Sequence, residues 1–132
     1  MGVGPFGDLE GLIACVGETC TVEDELFTNV MESFSVFYDE GVRAEPVELA
    51  GLGSGIRLSG LDQGEHAAEL LAAFDVLDGD VITHVNGIPL DDDARIHHVI
   101  ASIPTRLAWT LTLRRWTGSA WVSRELVVVR GP

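Results

Sequence analysis

The most regular hydrophobic pattern lies near the end of the chain. Leu107, Trp109, Leu111 and Leu113 alternate with Ala108, Thr110, Thr112 and Arg114, the period of a strand buried on one face. A turn around Thr117-Gly118-Ser119 leads into a second strand from Trp121 to Val129, so the tail reads as a β-hairpin. Upstream the period changes. Val22, Leu26, Val30, Phe34 and Phe37 recur at helical spacing and predict an amphipathic helix over residues 22–38. TVED has the form of a capping box with Thr21 as N-cap, and Gly41 supplies the stop. Before it, LIACV predicts a short strand that turns back through GETC, and the glycine-rich opening MGVGPFGDLEG is expected to be mobile.

Between helix and tail the elements are short. Residues 42–49, VRAEPVEL, are extended, and Pro46 removes a ladder donor, which predicts an edge strand or a bulge. GIRLSGL follows as a strand in which Ile56 and Leu58 alternate with Arg57 and Ser59. EHAAELLAAF, residues 65–74, predicts a short helix, DVITHV a strand, and Asn86-Gly87 a tight reversal. DDDARIHHVIASI, residues 91–103, predicts a second short helix with Ile96, Val99, Ile100 and Ile103 as its stripe. From residue 42 the order is strand, strand, helix, strand, helix, strand, strand, an α+β arrangement with a mostly antiparallel sheet. The expected division is 1–40 for the hairpin and helix and 42–130 for the remainder.

Composition narrows the function more than the fold. The 132 residues fit one domain with a short appendage. Twenty-one acidic residues against 8 basic ones give a formal net charge of −13, which repels nucleic acids and anionic membranes. No apolar run approaches the roughly 18 residues of a membrane span; an anchor or export signal upstream of Met1 would not be visible here. Cys15 and Cys20 flank a tight turn, and a bridge across it is geometrically plausible, as are two unpaired thiols.

Catalytic chemistry finds little footing. Asp93 and His97 stand at helical i,i+4 spacing behind Asp91 and Asp92, with His98 alongside, a pattern that could place metal ligands on one face but also suits a solvated helix start. His66 and His84 stand alone. No serine sits in a G-x-S-x-G turn, and Gly53-Ser54-Gly55 lacks the lysine of a phosphate loop. Asp78 and Asp80 flank Gly79 without the repeating ligands of a calcium hand. In FDVLDGDVITHVNGIPL, residues 74–90, the glycines and aspartates read as turn chemistry and the valines and isoleucines as core.

The run Gly79-Asp80-Val81-Ile82 through Asn86-Gly87, with helices on both sides, resembles the G-D-x-I-x-x-x-N-G pattern of PDZ domains in their bacterial, extracytoplasmic arrangement. That resemblance covers about residues 42–129 and implies a partly open antiparallel barrel or sheet with two short helices, preceded by the N-terminal hairpin and helix. With the cysteine-flanked hairpin, the T-V-x-x-x-L-F helix and GIRLSGL added, the chain is similar to the periplasmic region of the C component of type II secretion systems. Val76 replaces the leucine usual in that family's motif. The likeness implies a non-catalytic periplasmic module without cofactor. Such a module, anchored to the inner membrane in the full-length protein, links the platform to the outer-membrane secretin, other secretion components or a secreted protein. It also implies a Cys15–Cys20 disulfide.

In PDZ domains a peptide adds as a strand to the sheet edge beside a helix. The resemblance places that groove between residues 42–48 and 92–101, with Val42, Ala44 and Val47 on one side and Ile96, Val99 and Ile100 on the other. The loop that receives a peptide's terminal carboxylate corresponds to Tyr38-Asp39-Glu40-Gly41, where two acidic side chains oppose an anion. An internal segment or a folded, basic partner fits better. The competing expectations are the regulatory peptide-binding PDZ domain of an envelope serine protease and a small metal-dependent enzyme built on residues 91–98.

Overall fold

The computed structural model describes residues 9–33, 35–51, 53–61, 65–103 and 107–131, with the side chains of Glu10 and Ile100 outside that set. The chain begins with α1 (Leu9–Leu12), β1 (Ile13–Val16), β2 (Thr19–Val22), α2 (Asp24–Glu32) and α3 (Ser35–Asp39). It continues through β3 (Arg43–Leu49), β4 (Gly53–Ser59), α4 (His66–Ala73), β5 (Val81–Val85), β6 (Ile88–Pro89), α5 (Asp93–Ser102), β7 (Ala108–Trp116) and β8 (Trp121–Arg130).

One open sheet carries all the strands in the order β1-β2-β8-β7-β5-β4-β3, with β6 attached to β5. Every pairing is antiparallel except β2 with β8, where Thr19 lies beside Val127 and Val22 beside Arg130. The architecture is the α+β, partly open sheet the sequence predicts, and its exposed edges are β1 and β3.

The tail hairpin forms as its alternation dictates. Trp109 lies opposite Val128, Leu111 opposite Leu126 and Leu113 opposite Arg124, so one face of the ladder turns inward. Asn86 and Gly87 both take positive φ, 53° and 80°, the requirement of a type I′ reversal. The Asn86 side chain adds a tether: its Oδ1 accepts from the Thr110 N–H at 2.8 Å, while Asn86 N–H donates to the Thr110 carbonyl.

The N-terminal helix departs from its predicted form. Val22 belongs to β2 rather than to a helix, and Glu23, not Thr21, occupies the N-cap, without a side-chain capping bond. The cause is tertiary pairing. Thr21 stands between Ala14 and Val129 in the sheet, and β-branched residues suit a strand placed there. The helix also breaks at Ser33, whose N–H bonds the Asn29 carbonyl while its own carbonyl accepts from Val36, so α2 and α3 are separate. Phe34 lies outside the described residues. The opening stretch predicted to be mobile is described from Leu9, where it forms the single turn of α1.

Helices α2, α4 and α5 cover the inward face of the sheet. Leu26 of α2 meets Val22 and Leu70, while Val99 of α5 meets Val85, Leu90 and Trp109. The packing leaves an apolar pocket of about 310 Å³, open to the surface, between α2, α4 and the inward rows of β5, β7 and β8.

Candidate functional site

β3 runs along the open edge of the sheet and pairs, among the described residues, with β4 alone. Pro46 stands at its centre opposite Ile56. A proline there is tolerated because an edge strand does not need every N–H for the ladder. The start of α5 faces this edge and leaves a cleft of about 300 Å³. Pro46, Val47 and Glu48 form one wall, and Leu90, Asp91, Asp92, Asp93 and Ile96 form the other. Ser54 and Gly55 complete it from β4.

Gly55 is required by close approach rather than by backbone conformation. A Cβ there would come within 2.6 Å of Val81 Cγ1 and 2.8 Å of the Ile82 carbonyl oxygen, so β4 can lie against β5 only with glycine at this point. The α5 wall is set by Asp92, whose Oδ1 accepts from the Arg95 N–H at 2.8 Å as a helix N-cap. Arg95 also pairs with Asp91 at 3.0 Å. The cleft thus combines the apolar side chains of Val47, Leu90 and Ile96 with the acidic ones of Glu48 and the three aspartates.

Of the groove residues expected from the sequence, Val47 and Ile96 line this cleft. Ala44 is exposed on β3 outside the lining. Val42, 6% exposed, precedes β3 and packs on Leu61 and Ala67, and Val99, 5% exposed, faces the core. The side chain of Ile100 lies outside the described residues. Pro46 and Leu90 join the site although only their edge and core signals were legible. The acidic wall was visible as residues 91–93, but its position beside β3 depends on where α5 lands.

The loop before β3 is engaged elsewhere. Glu40 caps α4: its Oε1 accepts from the Glu65 and Ala67 N–H groups at 2.9 and 2.8 Å, and its Oε2 lies 2.8 Å from His66 Nδ1. Burial opposes ionisation of Glu40, but the amide bonds and His66 outweigh it and hold the carboxyl below its usual range. The amides of Glu40, Gly41 and Val42 donate to Val36, Tyr38 and Phe37. These N–H groups are therefore not free to receive a carboxylate. Gly60 locks the loop in place, since a Cβ on its φ +80° backbone would collide with the Gly41 carbonyl.

The catalytic and metal candidates are not brought together. Among the described residues no cluster of three or more His, Cys, Asp or Glu side chains could hold a metal ion. His97 and His98 are exposed on α5, and His84 bonds Thr83 within β5. A disulfide joins Cys15 to Cys20, which lie opposite each other in the β1–β2 hairpin. No described helix is long and apolar enough to cross a membrane.

No family model matches the chain, and no curated protein is similar enough in sequence to match it. Two solved structures are similar, both of the PDZ domain of EpsC from Vibrio cholerae. The fragment of residues 204–305 shares 19% identity, with a TM-score of 0.50, over 80% of this chain and 97% of that one. The shorter fragment, residues 219–305, gives 20% identity and a TM-score of 0.48 over 68% and 94%. The open sheet with its edge strand β3 facing α5, and the likeness to the longer fragment, establish that the chain has the fold of a PDZ domain.

Proposed function

We propose that the protein is a non-catalytic interaction module of a type II secretion system, acting in the periplasm and anchored to the inner membrane in its full-length form. The observation that carries the reading is the cleft between the open edge of β3 and α5. An extended segment added there would continue the sheet through main-chain bonds, with Val47 and Ile96 receiving its apolar side chains. Val42 and Val99 pack in the core behind the strand and the helix. The sequence likeness to the C component of type II secretion supports the choice of machine, with the hairpin and helix of residues 1–40 as an extension of the 42–130 module.

The ligand is an internal segment or a folded partner with basic groups. The amides before β3 are already used within the loop, and the cleft rim carries Glu48 and three aspartates. The test is binding to the periplasmic domains of the secretin encoded with this protein. Binding should weaken with added salt, and Ile96→Glu should reduce it by at least about tenfold, a loss of about 1.4 kcal/mol, in protein that remains folded. No binding to any secretion component would remove the assignment.

A further inference from the structure

The chain's eight basic residues are all arginines, and seven of them lie among the described residues. Four are matched to aspartates: Arg95 to Asp91, Arg115 to Asp80, Arg124 to Asp75 and Arg130 to Asp24. The other three are not. Arg43 donates to the carbonyls of Tyr38 and Val42, and neither it, Arg57 nor Arg114 forms an ion pair among the described residues. In a chain with 21 acidic side chains, an arginine without a carboxylate is the exception.

All three stand on one face of the sheet. Arg57 lies opposite Val81, and Val81 opposite Arg114, and directly opposed residues share a face. Two strand spacings, about 10 Å, separate the two arginines. Arg43 lies opposite Ser59, two positions along β4 from Arg57, and so joins them. Trp116 follows Arg114 by two positions on β7 and faces Trp121 on β8. The two rings lie 5.5 Å apart and continue the patch to the hairpin tip, where Trp116 is 53% exposed. The core side chains Leu58, Ile82 and Leu113 alternate with these positions and point to the other face. Among the described strand residues, Glu45, opposite Arg57, and Glu125, opposite Thr112, are the acids on this side.

We propose that this face docks an acidic segment of a partner protein, its carboxylates on Arg43, Arg57 and Arg114 and an apolar side chain on the two tryptophans. A guanidinium fork matches a carboxylate through two parallel bonds, and tryptophan with arginine is the composition on which interface energy concentrates. The charge pattern favours a narrow ligand over a membrane. A plane of anionic lipid would bring Glu45, Glu125 and more of the acidic surface within a screening length of about 8 Å. A segment touches the arginines without them. The β3–α5 cleft, with its glutamate and three aspartates, selects the opposite charge, and the arginine face does not depend on how that cleft is used.

The probe is a fluorescein-labelled octaglutamate peptide ending in two leucines, titrated with the protein and read by anisotropy. Saturable binding that weakens with added salt is expected, and the same peptide with glutamines in place of glutamates should not bind. Arg57→Gln/Arg114→Gln should weaken binding by at least about tenfold. Neither arginine has an ion-pair partner to strand, so this variant should remain folded. Glu45→Gln, which removes an acid from the face, should tighten binding about threefold, a gain that damage to the fold would not produce. Trp116→Ala should weaken the leucine-ended peptide and leave octaglutamate alone unchanged. Binding that is absent or does not saturate, or equal affinity for the folded double variant, overturns the proposal. Self-association, or binding to phosphatidylglycerol vesicles, that the double variant abolishes would overturn the choice of occupant in favour of a second copy or of lipid.

Discussion

The carboxylate of Asp80 is 1% exposed and holds its surroundings at three points. It accepts from the Leu77 N–H at 3.0 Å and from Arg115 Nε and Nη2 at 2.9 and 2.8 Å. Asp78 beside it accepts from the Leu61 N–H at 3.1 Å. The glycine-aspartate motif is therefore a clasp between the α4–β5 loop, β7 and the end of β4. Removing a partner from such a pair strands the other. Asp80→Ala should cost about 3 kcal/mol, the low end of the range because Arg115 remains partly exposed, as read from the denaturant midpoint. Glu40 acts through helix capping instead, and Glu40→Ala should cost about 1–2 kcal/mol at neutral pH. Its folded-state pKa is depressed, so the stability it contributes is present above the ordinary carboxylate range and is lost as pH falls through the folded value. Denaturation of wild type and Glu40→Ala across pH should therefore converge in acid. A difference between them that grows on acidification would contradict the sign.

At the scale of elements, the hairpin β7–β8 and the strands β3 to β5 were legible because alternation and turn residues act locally. Trp109 to Leu113 and Asn86-Gly87 need no distant partner to reveal them. Helix α2 was legible in its middle and not at its start. Thr21 and Val22 could begin a helix or end a strand, and the choice was made by β8, more than a hundred positions later. The groove followed the same division. Val47 and Ile96 lie where strand and helix patterns place them, whereas the acidic wall becomes part of the cleft only once α5 packs beside β3. The β1–β2 hairpin adds a testable element. β1 pairs with β2 alone among the described residues, and the Cys15–Cys20 bridge closes that ribbon. Reduction should lower stability by about 2 kcal/mol in the chain-entropy account. Hydrogen exchange should show the loss first in β1, with β5 and β7 remaining protected; equal loss across the sheet would show that the bridge supports more than its own ribbon.

For the whole molecule, the decisive quantity is the unfilled volume beneath α2. A sheet of this size curls around its inward side chains; Arg115 and Arg124 tie one end of the β7–β8 rows to Asp80 and Asp75, and Arg130 lies over Phe27 at the other. Val128 lies between Cys20 and Trp109 on the wall. Val128→Ile keeps the β-branch that suits a strand and adds one methylene toward the void. In a filled interior that addition strains the packing and costs about 1–3 kcal/mol. In a chamber of about 310 Å³ it gains contacts without displacing a neighbour, and stability should rise by about 0.5–1 kcal/mol. A higher denaturant midpoint with an unchanged slope would place the methylene in open space, and a lower midpoint would mean that the chamber has collapsed in solution.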